Sequence, residues 1–115
     1  MNGAFADTAY WIALTNIQDA AHEKAKEFSL SLGPGAILTT ETVLTEYLNY
    51  FAAWGPIFRG RAATNVQAML MSQAVRITPH TNESFLAGLE LYGARSGKGY
   101  SLTDCISMQT CGVKD

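Results

Sequence analysis

The 115-residue sequence predicts an α/β fold, a single domain over residues 1–115 with a parallel sheet covered by helices on both faces. Three observations carry that expectation. Three short apolar runs, Gly3–Ala6, Ala36–Thr39 and Ala74–Thr78, are separated by stretches of helical periodicity. Turn-forming residues punctuate the chain at Gly33-Pro34-Gly35, Gly55-Pro56, Pro79 and Gly97-Lys98-Gly99. The composition, 48% hydrophobic and 16% charged, is that of a chain with one real core.

The elements follow in order. Gly3–Ala6 is short and apolar and fits a first strand. Thr8–Leu14 starts a short helix directly after Asp7. Ala20–Leu32 reads as a second helix, with Asp19 as its N-cap and Ala21, Ala25 and Phe28 on its buried side. Ala36–Thr39 is a compact buried strand after a turn. Thr42–Trp54 is a strongly amphipathic helix: Val43, Leu44, Tyr47, Leu48, Phe51 and Trp54 fall within about 140° of arc. Ile57–Ser72 gives another helix, and Ala74–Thr78 a third strand closed by Pro79. Thr81–Arg95 is helical with Phe85, Leu86, Leu89 and Tyr92 on one face. Leu102–Cys111 is the last helix, ended by Gly112 at C′.

Several function classes are excluded or weakened by what the chain lacks. A net charge of −2 does not hold a protein on nucleic acid by bulk charge, which leaves only a local basic patch. No leader is visible, since Asp7 interrupts the position of an apolar segment, and no apolar run approaches a membrane span. The expected location is the cytoplasm. Cys105 and Cys111 are six apart, about 120° around a helix, which suits neither a local disulfide nor a zinc pair. Both read as buried or half-buried thiols. His22 and His80 read as surface histidines. Gly-Pro-Gly and Gly-Lys-Gly lack the context of a phosphate loop, and Ser101 and Ser107 have no companion base.

Ligands of parallel α/β sheets lie beyond the carboxyl ends of the strands, which directs attention to three acids. Asp7 follows the first strand and is equally suited to cap the next helix or to bind a metal. Glu46 lies just outside the apolar arc of its helix, where it is either a solvated glutamate or a carboxylate at the mouth of a cleft. Asp104 completes an S-x-x-D capping box with Ser101 and keeps a carboxylate oxygen for a ligand. Such hard oxygen donors suit Mg²⁺ or Mn²⁺. Arg59, Arg61, Arg76, Arg95 and Lys98 are either solvated surface charges or phosphate contacts beside the acids.

Three segments, F-A-D-T-A-Y-W-I-A-L, I-L-T-T-E-T-V-L-T-E-Y-L and Y-S-L-T-D-C-I-S-M, resemble the PIN-domain family, in particular VapC-type toxin ribonucleases. The resemblance runs over essentially the whole chain. It implies a PIN-like three-layer sandwich and a Mg²⁺- or Mn²⁺-dependent endoribonuclease that leaves 3′-hydroxyl and 5′-phosphate ends. It implies that Asp7, Glu46 and Asp104 form the acidic metal centre, with Thr8 and Thr103 as polar neighbours. RNA as substrate, a cognate antitoxin in the cleft and a homo-oligomer are the implied partners. Family members usually continue with further strands and a fourth acid, so the chain is expected to be C-terminally incomplete, with Asp115 not matching that acid. The alternative is a catalytically impaired PIN-like module that retains antitoxin binding or self-association. A receiver-like phosphoacceptor domain fits poorly, because the A-V-R-I-T strand offers no acid.

Overall fold

A computed structural model describes residues 4–32, 35–95 and 97–112. The expectations on Gly3, on the Gly33-Pro34 step and on residues 113–115 lie outside the described residues. The order is β1 (Ala4–Phe5), α1 (Thr8–Thr15), α2 (His22–Leu30), β2 (Ile37–Thr40), α3 (Glu41–Phe51), α4 (Pro56–Met71), β3 (Val75–Thr78), α5 (Asn82–Ala94) and α6 (Leu102–Cys111). The three strands form one parallel sheet in the order β1-β2-β3. In register, Ala4 pairs with Ile37 and Ile37 with Val75. This is the predicted α/β architecture.

Two adjacent threonines show that the sheet is covered on both sides. Successive strand residues point to opposite faces. Thr39 accepts a hydrogen bond from Trp11 Nε1 of α1 at 3.3 Å, while the hydroxyls of Thr40 and Ser107 of α6 meet at 3.3 Å. Helix α1 therefore lies over one face and α6 over the other.

The core is built on α3. Val43, Leu44, Tyr47 and Phe51 are buried against Trp11, Ile37 and Ala62. Tyr47 is wholly buried, and its hydroxyl is fully used: it meets the Thr15 hydroxyl at 2.6 Å and accepts from Asn65 Nδ2 at 3.1 Å. A buried hydroxyl without such partners would cost about 1–3 kcal/mol. This polar knot joins α1, α3 and α4.

Some expected details shift. Asp19 does not cap α2: its carboxylate accepts from the Ala21 N–H at 2.8 Å in the preceding turn, and Ala21 takes the N-cap position without a side-chain bond. Phe28 is exposed rather than buried, because Ala25 alone makes the close approach of α2 to the core. Leu48 and Trp54 of the predicted α3 stripe are also exposed, Trp54 because the helix ends before it at Phe51. His22 is no free surface histidine. It is half-buried, and its Nδ1 donates to the Ala13 carbonyl at 2.7 Å, which ties α2 to α1. His80 is exposed, as expected, and its Nδ1 meets the Thr42 hydroxyl at 3.1 Å. Both cysteines are free, Cys105 buried and Cys111 half-buried.

Helices α5 and α6 touch through Gly88. A Cβ built there would stand 2.3 Å from Ile106 Cγ1 and 2.8 Å from Ile106 Cα, so only glycine permits this approach. Gly112 ends α6 in the left-handed region, φ 70°, as its place at C′ predicts. Among the described residues no helix is long and apolar enough to cross a membrane.

Candidate functional site

Each candidate acid is placed by a local backbone rule. Asp7 follows β1 and caps α1: extended backbone at φ −89° lets its Oδ1 accept the Tyr10 N–H at 3.0 Å. Its position is fixed from the other side as well. The Ala6 N–H donates to the Leu38 carbonyl at 2.8 Å, and the Thr39 hydroxyl donates to the Ala6 carbonyl at 3.0 Å. The end of β1 thus cannot move without breaking bonds to β2.

Glu46 is half-buried on α3 and is held by α1: the Thr8 hydroxyl donates to its Oε1. Thr8 stands next to Asp7, so this bond brings the first and second acidic segments together. Asp104 sits at the third position of α6. Its Oδ2 accepts the Ser101 N–H at 3.2 Å, and its own N–H donates to Ser101 Oγ at 3.0 Å, a complete capping box. Three residues further along, Ser107 fastens α6 to Thr40 at the carboxyl end of β2. Thr40 at the same time caps α3 by accepting the Val43 N–H at 3.1 Å.

Asp7, Glu46 and Asp104 are therefore carried by three helices anchored at the carboxyl ends of β1 and β2. They are not closed into a metal cluster. Among the described residues no group of three His, Cys, Asp or Glu side chains is close enough to hold an ion. The Thr8 hydroxyl occupies one Glu46 oxygen, and the caps occupy one oxygen of each aspartate. Asp7 Oδ2, Glu46 Oε2 and Asp104 Oδ1 take no part in these bonds.

The donor chemistry fits a hard divalent cation. Asp7, Glu46 and Asp104 offer carboxylate oxygens, and Thr8 beside Glu46 a hydroxyl, all hard donors. The thiol beside them does not compete. Burial, with the Asp104 carboxylate adding to it and Arg95 opposing, pushes Cys105 above its ordinary pKa. A protonated thiol is a poor ligand for a soft metal.

Two further groups at this edge escape a reading of the sequence. Glu41, the first residue of α3, accepts the His80 N–H at 2.6 Å and so ties the segment after β3 to the end of β2. An apolar groove of about 470 Å³ also runs between α1 and α2 beside Asp7, lined by Tyr10, Ala13, Lys24, Ala25 and Phe28. The first had a signal, since a glutamate directly after a strand stands at the sheet's carboxyl edge. The second depends on how far apart two helices pack, which no local pattern encodes.

The sequence matches the family model of the PIN domain over residues 4–114, and the chain belongs to the PIN-domain family. Among solved structures it is similar to the crystal structure of Mycobacterium tuberculosis VapC20, a toxin that cleaves the sarcin–ricin loop. The TM-score is 0.79 at 29% sequence identity, over 95% of this chain and 83% of that one. No curated protein matches the sequence significantly. The expected family and its VapC-type character are thereby borne out.

Proposed function

We propose that the chain is a divalent-metal-dependent endoribonuclease of a toxin–antitoxin pair, acting in the cytoplasm. The observation that supports this reading is the Thr8–Glu46 bond, which brings Glu46 to the segment of Asp7, together with the Thr40–Ser107 bond, which ties the helix of Asp104 to the carboxyl end of β2. Asp7, Asp104 and Glu46 would hold Mg²⁺ or Mn²⁺. Such an ion, when bound, supplies an activated water and neutralises charge on a phosphodiester. The chain's own contribution is positional. The α1 and α6 caps fix two carboxylates through folding alone, and the Thr8 hydroxyl orients Glu46.

The similarity to a toxin supports RNA as substrate and an antitoxin as partner. The apolar groove between α1 and α2 supports the latter, because a peptide laid along it would cover Asp7. The open edge of β1, which pairs only with β2 among the described residues, supports a homo-oligomer.

A second reading has one observation in its favour. The three carboxylates are not gathered within one ion's reach, which suits a PIN-like module that binds an antitoxin or its own copy without cleaving RNA.

Substitution of Asp7 by Asn separates the two. Asn caps a helix about as well as Asp, so the fold survives while the charge is lost. In the ribonuclease reading, Mg²⁺- or Mn²⁺-dependent cleavage by Asp7→Asn and Asp104→Asn falls by at least about 100-fold. Mn²⁺ affinity falls with it. Wild-type cleavage that survives both EDTA and Asp7→Asn overturns that reading. Absence of metal-dependent cleavage in a folded wild type, with partner binding retained, establishes the second.

A further inference from the structure

The chain is acidic overall, with ten Asp and Glu against eight Lys and Arg, yet its charges are segregated. Between Glu46 and Glu83 it carries Arg59, Arg61 and Arg76 and no acid. Most of that stretch is the second half of α3 together with α4. At the turn joining the two helices, aromatic rings form a continuous row. The Tyr50 and Trp54 centroids are 5.3 Å apart, Trp54 and Phe58 are 5.1 Å apart, and the Arg61 guanidinium lies 5.2 Å from the Phe58 centroid.

The row is rigid from beneath. Phe51 is wholly buried, meets Tyr50 and Trp54 edge-on and stacks on Phe58 at 5.7 Å. Arg59 is pinned alongside, its Nη1 donating to the Ala52 carbonyl at 3.0 Å. Tyr50 and Trp54 nonetheless keep 45% and 40% of their surface exposed. Tyr50 follows Glu46 by one turn on the same side of α3, so the row begins next to the candidate acidic site.

Building on the ribonuclease reading, we propose that Tyr50 and Trp54 are a base-stacking platform for unpaired RNA, with Arg59 and Arg61 contacting its phosphates. Aromatic faces accept any base, and arginines beside them add attraction to the backbone. The acid-free stretch is what singles out a polyanion as occupant in a chain that otherwise repels one. A duplex hides its base faces, so the platform selects single strands. Tyr50 is the near end of the platform, one helical turn from Glu46, and Trp54 lies a further turn away, so a stacked strand would run from the acids along α3.

The test is binding of a fluorescein-labelled ten-nucleotide oligoadenylate, measured by anisotropy in EDTA so that no cleavage is required. The full chain should bind it more tightly than the same strand annealed to oligouridylate. Tyr50→Ala and Trp54→Ala should each weaken binding by about five-fold or more, and Trp54→Phe should retain most of it. Arg61→Gln should reduce the slope of log affinity against log salt by about 0.7. Circular dichroism of each variant establishes that it is folded. Unchanged affinity in both alanine variants, no wild-type binding, or no preference over duplex overturns the proposal. So does a change of oligomeric state in those variants with RNA affinity intact, since a second copy is then the occupant. Loss of cleavage in Asp7→Asn without any effect at Tyr50 and Trp54 leaves the ribonuclease reading standing and this one overturned. Stacking-dependent binding without metal-dependent cleavage does the reverse.

Discussion

The α1–α3 pair and the α5–α6 pair close by opposite means. The first fills its interface with side-chain volume: Trp11, Tyr47 and Phe51 are almost wholly buried. The second closes by omission, backbone on backbone at Gly88, and leaves Phe85, Leu86, Leu89 and Tyr92 of α5 exposed. In one region removing atoms is the danger, in the other adding them. An amphipathic pattern is thus compatible with either outcome, and the partner helix decides which face is covered.

Truncating the filled interface should have the largest effect. Phe51→Ala removes the ring beneath four aromatic neighbours and should cost about 3–5 kcal/mol in a urea melt. A cost under 1 kcal/mol would break the comparison from that side.

Adding a methyl to the empty interface comes next. Helix propensity alone makes Gly88→Ala stabilising by about 1 kcal/mol. The Ile106 backbone at 2.8 and 2.9 Å from the new Cβ should reverse that sign, with a net loss of about 1–3 kcal/mol. A higher melting temperature in Gly88→Ala would show that α5 shifts away freely.

A double mutant sharpens the point. Trimming Ile106 to Ala in the Gly88→Ala background removes the Cγ1 clash at 2.3 Å but not the backbone contacts. The cycle should therefore show a favourable coupling of at least about 0.5 kcal/mol without restoring wild-type stability. Perfect additivity would mean that the two residues do not meet.

The smallest effect concerns the far end of α6. Burial raises the Cys111 thiol above its ordinary pKa of 9.0, so the unfolded chain loses that proton first. Stability is unaffected below pH 9 and falls as pH rises through and beyond it. Cys111→Ala should flatten this alkaline slope in thermal melts between pH 8 and 10. An unchanged slope would remove Cys111 as its source.

Local chemistry made part of this legible in advance. Asp7, Ser101, Asp104 and Gly112 are read correctly because caps depend on neighbours within one turn. The three strands are legible as apolar runs, and their parallel pairing follows from the crossovers. The angle of Trp54 fits the stripe, but the helix ends at Phe51, so Trp54 rests against the outer side of that ring and stays exposed. Asp19 has the right residue type for an N-cap, yet a turn over Ala21 satisfies it first. The Thr8–Glu46 and Thr40–Ser107 bonds span 38 and 67 residues, and no local window contains them. The same distance explains the site: the acids could be named from their segments, whereas their separation could not.

That 67-residue span between Thr40 and Ser107 has a consequence for synthesis on the ribosome. Strand β2 is the middle strand, and one of its faces can be sealed early, once α1 and α3 exist. Its other face waits for α6, which follows β2 by more than sixty residues and is the last of the described elements. Long-range closure of this kind is slow, because loop entropy is lost before contacts compensate. A nascent chain stalled before Ser101 should therefore have its β1–β2 amides protected only weakly from hydrogen exchange, and full protection should appear with α6. Full protection in the stalled chain would refute this order. Asp104 arrives on that same helix, so the third candidate acid joins the other two in the step that covers the second face of β2.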